Sequence, residues 1–476
     1  MNLWKVLRAG ALGVLVSGIA AVASAQPVAT EIGPGYHPRL RADSQGRLHL
    51  LYHDGGSVYY RTSSGAGWSA PEKVPGSDGA LSNKFLRHKM HVAPDGSVVR
   101  AIFANGYGTD VKFAWRDAGG WHGPETACPV GAATWEFADV TATPSGDAYV
   151  FCAMETVSVA HRDPAGGWTA PAVVVNAGAK HPASATDPGG TIHLVYRMTP
   201  VYYVTGDGAS WPPPETLAKT ALTTELPAIA LDGAGVPHVV WQDWKKTPTW
   251  LPKSARYATG GAGAWTGGGE GVEVALHADP ANPPEMAIDT SGNVAVTWVE
   301  GVQGAASAYL STAPAGSSVF SAAISIGDGA AHPKNGNLEH DLATPPAAFV
   351  GDELHVVYEN SSRRLIHVSG LRPFPSPLDA GAPDAATDSS YPSDGSSDVA
   401  GDDAGSTLED GGAQGDRGPD DGGTRDEGSD SAEATSDAAR DGGRADAGHK
   451  DGETAGDAAA VPEETSAGCS CAAVRR

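Results

Sequence analysis

The sequence predicts an all-β chain: a seven-bladed β-propeller closed by an N-terminal strand and followed by a disordered acidic tail. Three observations carry that expectation. A unit of about 50 residues recurs seven times between Tyr36 and Ser369. Each unit holds short runs of branched and aromatic residues bounded by Gly, Pro and Asp, which are strand signals. No segment keeps a helical period over three turns. Four short strands in a repeat of this length form one propeller blade.

The first unit shows the pattern. HPRLRADSQGRLHLLY, from His37 to Tyr52, gives an apolar strand, an Asp-x-x-Gly-like turn and a second strand ending in an aromatic residue. VYYR (Val58 to Arg61) is the third strand, and WSAPEKV (Trp68 to Val74) contains the fourth. The turn glycines Gly46, Gly96, Gly146, Gly190, Gly235, Gly292 and Gly351 are 50, 50, 44, 45, 57 and 59 residues apart. Second strands end at Tyr52, Phe103, Cys152, Tyr196, Trp241, Trp298 and Tyr358. Closing strands open at Trp68, Trp121, Trp168, Trp211, Trp265 and Phe320. The seventh unit stops after its third strand, Leu365 to Ser369. Val28 to Ile32 precedes His37-Pro38 much as Glu72-Lys73-Val74 precedes the second unit. This segment is therefore expected to supply the missing outer strand and remove an open sheet edge.

The two ends differ from the repeats. Residues 1–25 read as a secretory signal peptide: Lys5 and Arg8, the apolar run Ala9 to Val22, then Ala23-Ser24-Ala25 before Gln26. An apolar run of about 14 residues is short for a membrane span. Residues 26–372 form the propeller, 373–467 a spacer and 468–476 a Cys-containing end. From Phe374 onward there are 24 acidic and 7 basic side chains, so the propeller carries only about −7 of the total charge of −24. The spacer has too little apolar surface to offset the entropy of ordering it. The chain lacks the basic stripe that nucleic-acid binding requires. A secreted or cell-surface monomer is expected.

The end of the chain, Gly468 to Arg476, resembles a myxobacterial surface-sorting signal. Cys469, Cys471, Arg475 and Arg476 match, while Ala472 to Val474 stand where that signal has a spanning helix. Any membrane attachment rests on this resemblance. Cys128 and Cys152 fit either a disulfide between neighbouring blades or two separately buried thiols.

The Trp-x-x-Pro strands and Asp-x-x-Gly turns resemble the sialidase-like, BNR-repeat propeller superfamily over about residues 30–370. That resemblance implies a propeller and a kinship with sialidases. The stretch nearest to an Asp-box, Ala185 to Ile192, lacks the Ser and the aromatic residue and lies between first and second strands. The unit count is seven, where sialidases have six.

In such a fold the loops leading into the innermost strands share one face with the loops joining second to third strands. The first set carries His37, Arg87 with His88, Glu136, His181, Glu225, Glu285 and His340. The second carries His53 with Asp54, Asn105, Glu155, Arg197, Gln242 with Asp243, Glu300 and Glu359. These groups suit recognition of hydroxyls and carboxylates, or acid–base catalysis. They equally suit bonds between blades and a wet channel. His49, His193, His238 and His355 recur at one mid-strand position, which points to packing. The longest such loop, Asp243 to Lys253, carries Trp244, Lys245, Lys246 and Trp250. These residues would bind an anionic sugar, or the two indoles would fold inward and pin the loop.

No metal-ligand spacing, nucleophile elbow or phosphate loop occurs, so neither a metal nor a cofactor is expected. The main expectation is a propeller binding an extracellular glycan, including an anionic one, at its axial face. One alternative is a glycan-processing enzyme. A hydrolase would draw its two carboxylates from Glu136, Glu225, Asp243, Glu285 and Glu300. A lyase would use His181, His340 or Tyr107 as base, with Arg197 or Arg87 on the uronate. A protein-interaction propeller is the third reading.

Overall fold

The computed structural model describes residues 27–374 apart from 66, 81–87, 106–109, 130–136, 154–155, 177, 199, 219–222, 246–250, 262, 278–280, 303 and 332–343. The side chains of residues 223, 225, 245 and 251–253 are also outside the description. The signal-peptide, spacer and Cys-end expectations lie outside the described residues.

The described chain is all-β and has no helix. Seven antiparallel sheets follow one another as seven blades, six with four strands and the fifth with five. In the first blade Tyr36–Ala42 is innermost, followed outward by Leu48–Asp54, Ser57–Ser63 and Glu72–Lys73. The other inner strands are Lys89–Val92, Phe137–Ala142, Lys180–Thr186, Thr223–Leu231, Glu285–Ile288 and Ala347–Val350. The end at which the inner strands begin is termed the upper face.

The turn chemistry follows from the residues. All seven turn glycines have positive φ, from 62° at Gly351 to 98° at Gly146, a region that costs glycine nothing. In the first turn the Asp43 Oδ1 accepts the backbone N–H groups of Gln45 and Arg47, both at 2.9 Å. Asp232 and Asp289 repeat this arrangement.

Closure matches the expectation. Val28–Pro34 pairs antiparallel with Arg364–Leu371, with Val28 opposite Ser369, and becomes the outer strand of the seventh blade. Arg364 forms an ion pair with Glu31 across that junction. The two ends of the propeller are thus joined in one sheet.

The closing tryptophans work between blades. Trp121, Trp168 and Trp265 meet Tyr60, Phe113 and Tyr203 of the preceding blade edge-on, with ring centroids 5.6, 5.2 and 4.9 Å apart. Trp211 meets Phe151, Phe320 meets Tyr257 and Trp68 meets His367 in the same way. Edge-to-face aromatic pairs add about 1 kcal/mol beyond the area they bury. Six of the seven seams are thus filled by the aromatic residue that opens a closing strand. Cys128 and Cys152 form a disulfide between the second and third blades.

The recurrent histidines also receive a structural explanation. His49 bonds the Tyr60 hydroxyl at 2.7 Å through Nδ1 and the Asp43 carboxylate at 3.1 Å through Nε2. His193 and His238 bond Tyr203 and Tyr257 at 2.7 and 2.6 Å, with Asp187 and Asp232 at 3.7 and 3.6 Å. A Tyr–His–Asp line thus ties the third strand to the turn aspartate in three blades. In the seventh blade His355 bonds His367 at 3.1 Å instead.

Candidate functional site

Three inner strands enter the upper face through the same device. His37, His181 and Leu226 each precede a proline and have φ of 52°, 51° and 48°. The strand register skips at each of these X-Pro steps. Proline has no N–H to donate, which favours a bulge there. A non-glycine residue at positive φ costs on the order of 1–3 kcal/mol. His37 is held by its own N–H bonding Glu359 Oε2 at 3.3 Å.

Below this rim is an axial cavity of about 1040 Å³. Arg39, Lys89, Asp139, Ser184 and Glu285 line its upper part. Arg39 meets Glu285 at 3.0 Å and Thr344 Oγ1 at 3.3 Å. Asp139 accepts the backbone N–H and hydroxyl of Ser184 at 2.6 and 2.7 Å, with Lys89 3.9 Å away. Burial alone would raise the Glu285 carboxyl, yet Arg39, Lys89 and Arg41 hold it below the ordinary glutamate range. Glu285 is thus an anion in this setting and poorly suited to donate a proton. Burial, with Arg39 next, lowers the Lys89 ammonium.

A second group lies beside the axis, where the seventh, first and second blades meet. Tyr36 opens the first inner strand and is half-buried. Its ring lies 4.8 Å from the His53 ring, and the Arg363 guanidinium sits 4.9 Å over its face. Arg363 occupies the turn between the second and third strands of the seventh blade, and its side chain is exposed. The His53 Nε2 lies 2.8 Å from the Ala80 carbonyl, which only accepts, so that nitrogen carries the proton. Nδ1 then holds the lone pair. Burial lowers the His53 pKa, so the ring is neutral at neutral pH. His88 stacks at 6.4 Å on its other side.

The remaining predicted site residues are dispersed. His181 packs edge-on against Phe137 at 3.9 Å, and its Nδ1 accepts the Leu226 N–H at 3.4 Å. Arg197 donates to the Thr224 carbonyl at 3.2 Å. Asp243 is fully buried, taking the Trp241 indole N–H at 3.2 Å and facing Arg256 at 3.3 Å. Glu300 accepts from Trp298 and lies 3.1 Å from His277. Asp54 is half-exposed in the first second-to-third-strand hairpin. Trp244 is only 6% exposed and donates its indole N–H to Gln242 at 3.0 Å. Of the two arrangements expected for that loop, Trp244 adopts the inward one. Lys245 and Glu225 lie in strands, but their side chains are outside the description. Glu136, Lys246, Trp250, His340, Arg87 and Tyr107 lie outside the described residues.

Sequence reasoning missed Arg39, Lys89, Asp139, Tyr36 and Arg363. Period-two alternation along the inner strands (Arg39 and Arg41, Lys89 and His91, Asp139 and Thr141) was the available signal for the axial residues. Tyr36 and Arg363 had none, because they are brought together only by ring closure. Among the described residues, no group of three or more His, Cys, Asp or Glu is placed to hold a metal ion. No described helix is long and apolar enough to cross a membrane.

The described residues define a seven-bladed all-β propeller with an axial cavity and, at its upper face, the Tyr36, His53 and Arg363 group. No protein-family model matches the sequence, and no curated protein matches it. Among solved structures, the chain is similar to an ulvan lyase of the polysaccharide-lyase family PL25, bound to glucuronic acid linked 1–4 to rhamnose 3-sulfate. The TM-score is 0.51 at 13% identity, over 73% of this chain and 98% of that one. A second structure of a PL25 ulvan lyase gives 0.51 at 13% identity, covering 73% and 97%. The polysaccharide lyase Uly1 aligns at 0.43 with 8% identity, covering 72% and 98%, and is too distant to bear on this chain. At these identities the likeness concerns the fold alone.

Proposed function

We propose that this protein is an exported glycan-processing propeller, a polysaccharide lyase acting on a uronate-bearing, anionic polysaccharide at its upper face. The observation that carries this reading is the grouping of Tyr36, His53 and Arg363: a half-exposed phenol with a guanidinium 4.9 Å over its ring and a neutral imidazole 4.8 Å away. β-Elimination at a uronate needs a group that moves a proton and a cation that neutralises the carboxylate beside the acidic carbon. The similarity in fold to a lyase bound to a glucuronate-containing saccharide supports the substrate class at the level of analogy.

In this reading Arg363 pairs with the uronate carboxylate and makes the C5 proton more acidic. Tyr36, acting as its phenolate, removes that proton. The electrons of the C5–H bond form the C4–C5 double bond, and the C4–O bond breaks with its pair on the departing oxygen. That oxygen takes a proton, returned by Tyr36. His53 packs beneath and orients the phenol. No cofactor enters the balance. His181 and Arg197 are a second pair of suitable chemistry, but both bond the fifth blade and therefore serve that seam. The leader would export the protein.

The test is incubation with a panel of polyuronates, followed by ultraviolet absorbance of the unsaturated product. Turnover is expected, and it should be lost in Tyr36→Phe and Arg363→Ala without a change in melting temperature. Binding without turnover by the native protein would favour the glycan-binding reading. Turnover that survives Tyr36→Phe would overturn this assignment of the base.

A further inference from the structure

The lower half of the axial cavity has a charge arrangement that the lyase reading does not use. Arg41, His91 and Arg100 line it from the first two blades. Arg100 is a guanidinium only 7% exposed, and it donates to the Gly146 carbonyl at 3.1 Å. Arg41 is exposed to the cavity and donates only to its neighbour's carbonyl, Leu40, at 2.9 Å. Among the described residues neither forms an ion pair. His91 is the cross-strand partner of Arg100. Burial, then the charges of Arg100 and Arg41, push its imidazole down to about 3. Both guanidinia line the same cavity as this neutral ring.

The carboxylates lining the same cavity are already engaged. Glu285 is held by Arg39 and Asp139 by Ser184. Asp187 accepts the Thr191 N–H at 2.7 Å, and Asp95 accepts Ser97 at 2.6 Å. Burial, then the charge of Arg162, draws the Arg100 guanidinium down to about 10 against the opposing pull of Asp147, so it stays charged. Asp147 is the carboxylate whose charge acts on Arg100, and it is itself bonded to Ser145 and His161. The Arg41 and Arg100 guanidinia, unclosed by an ion pair among the described residues, are left to meet an anion entering the cavity.

We propose that Arg41 and Arg100, with the His91 ring between their strands, form a binding site for a tetrahedral oxyanion of the sulfate or phosphate class. Planar guanidinia recognise such groups through paired hydrogen bonds. The inference does not depend on lyase chemistry, since the site lies below the rim and uses none of Tyr36, His53 or Arg363.

The test titrates sodium sulfate and sodium phosphate into the full chain by calorimetry and thermal melting, with sodium chloride at matched ionic strength as control. Saturable, one-to-one binding of sulfate or phosphate is expected, with a rise in melting temperature beyond that given by chloride. Arg41→Gln should weaken the affinity by about tenfold or more and keep a cooperative melting transition in anion-free buffer, because Arg41 is exposed. Arg100→Gln should abolish binding. If it fails to fold, Arg41→Gln decides alone. Sulfate acting no more strongly than chloride, or binding undiminished in Arg41→Gln, would overturn the proposal. A sulfated monosaccharide serves as the third arm. Competition with sulfate would identify an esterified ligand and its absence a free ion, and the site stands in both cases.

Discussion

Arg39 of the first blade meets Glu285 of the sixth at 3.0 Å, with Thr344 of the seventh accepting from the same guanidinium nitrogen at 3.3 Å. One side chain thus links three blades at the mouth of the axis. Removing one partner of an enclosed ion pair strands the other, at a cost of about 3–5 kcal/mol. Glu285→Gln should therefore destabilise strongly, while Arg39→Met with Glu285→Met should recover much of the loss. A double-mutant cycle read by chemical denaturation checks this, and simple additivity of the two single changes would contradict it.

Acid should weaken the fold early. Burial lowers His49, His193, His238 and His355 below the ordinary value of 6.5, and lowers His367 to about 4. Between those depressed values and 6.5 the unfolded chain binds more protons than the folded one, so stability falls as pH drops through that window. The melting temperature should be level above about pH 7 and decline from about pH 6.5 downward. Tyr60→Phe, which removes the bond to His49 Nδ1, should cost about 1 kcal/mol at neutral pH.

Closure by the N-terminal strand should be thermodynamically central. Deleting Val28–Pro34 exposes the edge of Arg364–Leu371 and removes the Glu31 ion pair. A sharp drop in melting temperature and concentration-dependent association are expected, because an open strand edge pairs with other chains. Scanning calorimetry with light scattering reads both, and an unchanged melting curve would contradict the closure.

The disulfide between Cys128 and Cys152 closes a loop with a sequence separation of 24 residues. A loop of that length is worth about 3 kcal/mol through restriction of the unfolded chain. Denaturant titration with and without reductant should show a loss of that order, and Cys128→Ser with Cys152→Ser should reproduce it.

The fold was legible because its signals are local and repeated seven times. The Gly46-type turns need positive φ, the Trp121-type residues fill six of the seven seams, and Val28 to Ile32 precedes the first unit as an outer strand should. The site was only partly legible. His37, His53, His181 and Glu285 lie at the upper face, as their loop positions imply, but Trp244 turns inward, and its Nε1–Gln242 bond cannot be read from spacing. Arg39 and Lys89 looked like ordinary strand charges, since nothing local distinguishes an axis-facing arginine from a solvated one.

The sequence by itself determined the number of blades, the turn geometry, the edge strand that closes the ring and the structural standing of the repeated histidines. All of these are nearest-neighbour properties of a repeating chain. Only the tertiary structure decided which side chains meet. Arg39 and Glu285 are 246 residues apart, and Arg363, in the last blade of the sequence, reaches Tyr36 in the first. Such contacts depend on how the ring closes, and closure is set by the packing of all seven blades together.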